Sequence, residues 1–375
     1  MKLRGLALGF LFVVAVGLVL FGAQAPQYVH LSWQHDPTTT MTIMWRTDTD
    51  VTDSVVEYGP TDNYGMSASG TVETYTYARK EILWHTVELT GLTPNTTYHY
   101  RCGAEGNWSD DYYFKTAPEY GPRNMLRIAV FGDSRGGWDT LAQIFQVVKK
   151  ERVQLIVFTG DFTNGAAQME YDKFFSAGEG VLEYIPFMPV HGNHEMGLET
   201  YFGEFALPGN ERYFSYDYGP IHFTYLYSFS EPEAVTQRPW MLQDLRETTK
   251  PWKIVVAHKT IYSAGGGHGI TPYLLDHWVD IFDKTGVDIY FNGHDHDYER
   301  SWPIKSGRID ADGTVYITTG GAGAPLVDVG RGWWTAVSES SYHYIMLLVR
   351  PTQISMTVKR LDGSVLDSTM FLKNR

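Results

Sequence analysis

Hydrophobic and polar positions follow two different rhythms along this chain, and the change falls near residue 120. From residue 27 to about 117, short runs rich in β-branched and aromatic residues (QYVHLSWQ, MTIMWRT, DSVVEYG, HTVELTG and TYHYRCGA) are separated by turn-forming residues. Such runs fit strands that bury one face of a sheet. Helical periodicity is missing there, and the regular strand spacing predicts an all-β sandwich of immunoglobulin or fibronectin type III shape over residues 26–117. The prolines and glycine of APEYGPRN then mark 118–124 as a linker.

From residue 125 to 375 the apolar runs become nearly continuous and end in glycine and polar residues: LRIAVFGD, LIVFTGD, IPFMPVHGNHE, WKIVVAHK, VDIYFNGHDH and GTVYITTGG. Strands of that kind are buried on both faces, so the pattern predicts an α/β arrangement in which helices cover a sheet. Helices are expected at 138–151, about 167–182, about 237–247 and 272–285. SYHYIMLLV and ISMTVKRLDGSVLDSTMFL read as closing antiparallel strands, with Asp362-Gly363 as a hairpin turn. The aromatic stretch 213–229, YFSYDYGPIHFTYLYSF, reads as core strands rather than as a platform for a sugar or base.

The length of 375 residues has room for both domains. The first 25 residues have a basic start at Lys2 and Arg4, an apolar run over residues 5–22 and a small-residue ending at Ala23 and Ala25. That is the layout of a secretory signal peptide. Pro26 directly after the cut is a poor fit to signal peptidase, so the alternative is an uncleaved N-terminal anchor, the only part of the chain that would meet a membrane. Either reading exports the body, making it secreted, periplasmic or cell-surface.

Cys102 is the only cysteine, which excludes an internal disulfide. The net charge of −13 becomes −15 when Lys2 and Arg4, the leader's only charges, are removed. Such an acidic body argues against a nucleic-acid scaffold and against anionic lipid. It also repels phosphate esters at long range, so a phosphate site needs strong local positive charge. The sequons at Asn95 and Asn107 are acceptors only in a host that glycosylates exported proteins.

Five apolar runs end in residues that can ligate a metal: Asp133, Asp161, Asn193 with His194, His258, and the pair His294 and His296. Carboxyl ends of strands in an α/β sheet are where sites are built. In FNGHDHDYERSW, an extended His294-Asp295-His296 would send both imidazoles to one side. Taken singly, the two aspartates fit turns or helix caps equally well, and the histidine pair fits a surface turn. His85, His99, His222, His277 and His343 lie outside these loops and read as structural or exposed. The ligand set combines carboxylate, amide oxygen and imidazole with no thiolate, which suits Mn, Fe, Zn or Co better than calcium or a structural zinc. Seven candidates exceed one tetrahedral ion and suit two divalent ions sharing a carboxylate. Two ions about 3.5–4 Å apart suit in-line displacement at phosphorus.

With these motifs the chain resembles the metallophosphoesterases, and within them the purple acid phosphatase-like enzymes. GDSR, GDFTN, GNHE, VVAH and GHDH match the family's ordered motifs. YERSWPI, QRPWMLQDL and the N-terminal WHTVELTGLTPNTTYHYRCG are similar to it as well. The resemblance implies a four-layer αββα catalytic domain behind a fibronectin-like one, and a phosphatase acting on small phosphate esters. It implies that Asp161 bridges two ions, that Asp133 and His296 complete one site, and that Asn193, His258 and His294 complete the other. His194 would face the phosphate or leaving oxygen, and His268 in SAGGGHG would contact substrate and protonate the leaving group. The family's purple members carry tyrosine three residues after the second aspartate, where this chain has Asn164. The histidine that other metallophosphoesterases place two residues after the first aspartate is Arg135 here. One metal is then completed by Asn164 or water, Arg135 is free to reach the phosphate, and a tyrosine-ligated ferric ion is not expected. The alternatives are a phosphodiesterase or nucleotidase on the same site, and a binding module whose catalytic domain has decayed.

Overall fold

The computed structural model describes residues 25–47, 51–77, 80–195 and 198–373. The signal-or-anchor reading concerns residues 1–25, and residues 1–24 lie outside that range. Among the described residues no helix is long and apolar enough to cross a membrane.

The N-terminal region consists of two antiparallel sheets. Strands Gln27–Ser32, Met41–Thr47, Lys80–Leu89 and Thr71–Tyr77 pair in that order. Val55–Gly59 and Thr97–Ala104 centre the second sheet. Trp45, Val56, Val87, Tyr100 and Cys102 are buried in the core. The strands Met66–Ser69 and Thr71–Tyr77 escape the hydrophobic pattern because their residues are mostly small or polar and partly exposed.

The C-terminal region has two sheets face to face. In one, Phe187–Pro189, Leu155–Phe158, Leu126–Phe131 and the closing strands His343–Arg350, Gln353–Arg360 and Val365–Leu372 lie side by side in that order. In the other, Phe214–Tyr218, Ile221–Tyr225, Trp252–Val256, Ile289–Asn292, Val315–Thr319, Tyr298–Ser301 and Thr335–Glu339 form seven strands. Consecutive residues of a strand divide between two cores, because side chains alternate across a sheet. Ile254 and Val256, Ile289 and Phe291, and Val315 and Ile317 join the core shared with the first sheet. Val255, Tyr290 and Tyr316 face the other way, against helices Glu231–Glu247 and Pro272–Thr285. Helices Trp138–Lys150 and Gln168–Gly178 pack through Ile144, Phe145, Phe174 and Phe175 into the core of the first sheet. Helix, sheet, sheet and helix form four layers, which explains the near-continuous apolar runs.

Helix Pro272–Thr285 follows from its sequence. Proline opens it where its missing N–H costs nothing, and Gly286 closes it in the left-handed conformation (φ 68°) with its N–H on Phe282 O at 2.9 Å. Its buried Leu274, Trp278, Ile281 and Phe282 each contribute about 1.5–3 kcal/mol.

Two helix boundaries and one additional helix correct the sequence expectation. The helix expected at about 237–247 begins at Glu231, with Pro232 in its first turn, and runs through Pro239 because burial of Ala234, Gln237, Met241 and Leu245 outweighs the hydrogen bond that proline removes. The helix expected to reach 182 stops at Gly178, ahead of Gly180 at φ 75°. A short helix, Leu198–Glu204, was not expected, being only two turns long.

Candidate metal centre

Strands of both sheets end at this site. The strands ending at Phe131, Phe158 and Pro189 deliver Asp133, Asp161 and Asn193 with His194 from the first sheet, and those ending at Val256 and Asn292 deliver His258, His294 and His296 from the second. The site therefore lies where the carboxyl ends of the two sheets meet.

The backbone there is strained. Asp133, Asp161 and His294 adopt left-handed φ values of 61°, 58° and 74°, at a cost on the order of 1–3 kcal/mol each. The surroundings hold the strain: Asp133 Oδ1 accepts the N–H of His294 at 2.9 Å, and Asp161 Oδ1 accepts that of His194 at 3.0 Å. A Cβ at Gly293 would fall 1.9 Å from Asp133 Oδ2, so only glycine lets these two loops approach.

The extended backbone expected at His294-Asp295-His296 is corrected by this geometry, although both rings do enter the site. His294 is left-handed and the chain turns after Asn292, so the rings arrive at different parts of the site. His294 Nδ1 lies 3.2 Å from His258 Nε2, while His296 Nε2 lies 3.7 Å from Asp133 Oδ1.

The donor set fits a cation. His258 Nδ1 faces the carbonyl of Thr159 at 2.8 Å, which places the proton there and turns the Nε2 lone pair inward. That lone pair faces Asn193 Oδ1 at 2.9 Å and Asp161 Oδ1 at 3.3 Å, so acceptors face acceptors. His296 Nδ1 is similarly held by Pro325 O at 2.8 Å, leaving Nε2 for the site. Ligand atoms of Asp133, Asp161 and His296 lie within 4.8 Å of one another, and Asp133 Oδ2 is buried with no hydrogen-bond partner. Burial, and then the charge of Asp161, push the Asp133 carboxyl well above the usual range. Burial holds His258, His294 and His296 below their ordinary values, keeping them in the neutral form that ligates.

Positive and proton-donating groups border this cluster. The guanidinium of Arg135 has Nη2 3.3 Å from His296 Nε2 and Nε 3.6 Å from Asp161 Oδ2, and its Nε is buried without a hydrogen-bond partner. His194 is oriented by the carbonyl of Asn164 at 2.8 Å from Nδ1, which leaves Nε2 4.0 Å from Asp161 Oδ2. His268 stacks on His294 with ring centroids 3.8 Å apart, and its hydrogen bond with Asp295 raises its pKa. The Asn164 side chain is exposed and donates to Glu170 Oε1 at 2.9 Å, so it is the Asn164 carbonyl that faces the site, through His194.

Within GNHE the sequence assigns no role to Glu195, and the structure does. Its carboxylate accepts the N–H groups of Asp161, Phe162, Thr163 and Gly192 at 2.9–3.2 Å, tying two ligand loops together. The signal was an acid directly after two site residues, although no rule of spacing separates such a brace from a ligand. His85, His99, His222, His277 and His343 all find partners away from this cluster.

Residues 26–116 match the N-terminal domain of purple acid phosphatases, and residues 126–298 match the calcineurin-like phosphoesterases. The chain is 30% identical over 373 residues to purple acid phosphatase 18 of Arabidopsis thaliana, covering 91% of this chain and 82% of that one. It is 29% identical over 408 residues to acid phosphatase type 7 of Mus musculus, covering 93% and 91%. The fold matches that of purple acid phosphatase PPD1 from yellow lupin (Lupinus luteus) with a TM-score of 0.82 at 23% identity, over 93% of this chain and 74% of that one. It also matches that of PhoD with a TM-score of 0.69 at 12% identity, over 94% and 91%.

Proposed function

Because the chain belongs to the purple acid phosphatase family of metal-dependent phosphoric ester hydrolases, we propose that it is an exported phosphatase of small phosphate monoesters, using two divalent ions. Asp161 would be shared between the ions, with Asp133 and His296 on one side and Asn193, His258 and His294 on the other. The identity of each ion is one of Fe, Mn, Zn or Co. Such ions supply Lewis acidity toward phosphoryl oxygens and make water acidic enough to act as a nucleophile near neutral pH.

The chain's own residues do the rest. Arg135 binds phosphoryl oxygens, as a planar fork of donors does for phosphate, and its buried Nε, 3.6 Å from Asp161 Oδ2, makes no hydrogen bond within the chain. His194 orients the same group through Nε2, while its Nδ1 is fixed on Asn164 O. His268 stands over His294 and donates a proton to the leaving oxygen as the ester bond breaks. The local positive charge offsets the acidic body that would otherwise repel the substrate.

The observation that carries this reading is the facing of acceptor on acceptor among Asn193, His258 and Asp161 beside a guanidinium nitrogen without a hydrogen bond. Such an arrangement suits cations below and an oxyanion above. The test is the initial rate on p-nitrophenyl phosphate by metal-stripped protein after adding Mn, Zn, Fe or Co in turn, with the bis-ester alongside. Metal-restored turnover favouring the monoester supports the reading. A bis-ester preference moves it to diesters, and folded protein with no rate under any metal moves it to a binding module.

A further inference from the structure

In GHDHDYE, acidic residues at 295, 297 and 299 alternate with the two ligating imidazoles. Asp295 and Glu299 serve a different partner, the glycine-rich loop 263–269. Asp295 is fully buried. Its Oδ2 accepts Ser263 Oγ at 2.5 Å and the N–H of Gly269 at 3.0 Å, while its Oδ1 accepts the N–H of His268 at 2.5 Å and lies 3.4 Å from His268 Nδ1. Glu299 holds the start of the same loop, accepting the N–H of Ala264 at 2.7 Å.

The glycines permit this seating. A Cβ at Gly267 would come within 2.6 Å of Asp295 Oδ1, and one at Gly265 within 2.6 Å of Asp297 Oδ2. The loop is thus laid at hydrogen-bond distance on the carboxylates of Asp295 and Glu299, passes close to Asp297 without a hydrogen bond to it, and returns the chain over the metal centre. There the His268 ring lies on His294 at 24° between planes, with its Nδ1 edge toward Asp295. Nε2, on the other edge of the ring, is left for the substrate, and the side chain remains 46% exposed.

We infer that Asp295 is a positioning residue: it clamps loop 263–269 and aims His268 Nε2 at the leaving oxygen, so that esters of poorly leaving alcohols become substrates. This rests on the phosphatase reading above. Charge on the leaving oxygen is large for an alkoxide and small for 4-nitrophenolate, so an aimed donor matters far more for alkyl esters. A purely structural role for Asp295 would affect both ester types alike.

The experiment compares full-length wild type, Asp295→Asn, His268→Ala and the double variant, each with metal content measured, on glycerol 2-phosphate and p-nitrophenyl phosphate. Hydrogen exchange over residues 263–269 is followed in the same proteins. Asp295→Asn is expected to lower kcat on the alkyl ester roughly 10–100-fold, a general-acid-sized effect, with KM nearly unchanged. On the aryl ester the loss should be below about threefold, and the double variant should be no worse than His268→Ala. Exchange at His268 and Gly269 should rise. Equal losses on both esters with metal content preserved, or unchanged loop exchange, would overturn the inference. A wild type inactive on both esters under every metal would sink the phosphatase reading, leaving loop exchange to judge the clamp by itself. If Asp295→Asn folds poorly, Gly267→Ala displaces the loop while keeping the acid and should give the same ester-dependent split.

Discussion

The carboxylate of Glu195 accepts the backbone N–H of Asp161 at 3.0 Å with one oxygen, and with the other the N–H groups of Phe162 and Thr163. The residue that is read as shared between metals thus has its strained backbone fixed by an acid three positions beyond Gly192, on another loop. Burial, and then the charge of Asp161, push the Glu195 carboxyl above the usual carboxylate range.

Replacing Glu195 by Gln removes one acceptor oxygen and points an NH₂ at backbone donors. Leaving such buried donors unpaired costs about 1–3 kcal/mol. Because the amide groups belong to the ligand loops, metal affinity should also fall by roughly 10–100-fold, as for other groups that orient ligands. Thermal unfolding with and without metal, together with metal titration, checks both effects. An unchanged affinity in Glu195→Gln would separate the brace from the centre.

How much of this was legible beforehand varies with the physics involved. The convergence of the candidate ligands was readable because each closes an apolar strand run with glycine nearby, and strand ends in α/β folds meet. The four layers were implied by runs such as WKIVV, whose neighbours Ile254 and Val255 must each find a core. What the sequence hid was backbone handedness. His294-Asp295-His296 looks like a strand, yet its path into the cluster runs through a left-handed His294, for which single residues give no propensity signal. Acceptors were hidden too, since nothing local marks Glu195 or Asp295 as acids that hold backbone amides from another loop.

Iron-loaded protein is expected to be colourless in the visible range. Position 164 holds asparagine where the purple members of the family carry tyrosine, and its side chain donates to Glu170. A neutral amide neither stabilises ferric iron nor gives a charge-transfer band, so the pH optimum should also lie nearer neutral than strongly acidic. Absorption spectra of iron-loaded protein check the first point and pH–rate profiles the second. An intense visible band would mean that a phenolate from elsewhere reaches the metal.

The two domains should lose cooperativity when Arg46 is truncated. From the N-terminal sheet, Arg46 donates to Asp172 Oδ1 on helix Gln168–Gly178 at 2.5 Å, with only 5% of its side chain exposed, and its guanidinium lies over the Tyr28 ring. Removing one partner of a buried pair costs about 3–5 kcal/mol, and the lower end applies here because Asp172 keeps 32% of its side chain in contact with water. Arg46→Ala should lower Tm and broaden or split the calorimetric transition. A single unshifted transition would show that the domains are coupled elsewhere.

Stability should decline on the alkaline side through His222. Burial alone would lower its pKa, but hydrogen bonds to Asp217 at 2.8 Å and Asp244 at 3.0 Å, with their charges, hold it up at about 9. A folded value above the unfolded one of about 6.5 gives stability that is complete below about pH 6.5 and lost as pH rises through 9. Urea midpoints of wild type should therefore fall across that window. His222→Gln, which cannot take up the proton, should be less stable at pH 6 and should show a flatter profile. Parallel profiles would mean the imidazolium is not formed.

Removing metal should destabilise the catalytic domain by an amount set by mass action. In the metal-free state Asp133 and Asp161 bring two carboxylates into a buried site, and the lone pairs of Asn193 and His258 face each other. That geometry is unfavourable until a cation joins it, so binding free energy appears directly as folding free energy. At free metal a hundredfold above Kd the gain is about 2.7 kcal/mol per site. It should shrink as pH falls, because the carboxylates and imidazoles must shed protons to ligate. Scanning calorimetry with saturating Mn or Zn against chelator, repeated between pH 8 and 5, should show a metal-dependent rise in Tm that narrows toward acid. Asp133→Asn, which reduces the repulsion but weakens a ligand, should raise the Tm of the stripped protein while shrinking the increment from metal. If metal moved Tm equally in wild type and Asp133→Asn, the ion would be bound elsewhere.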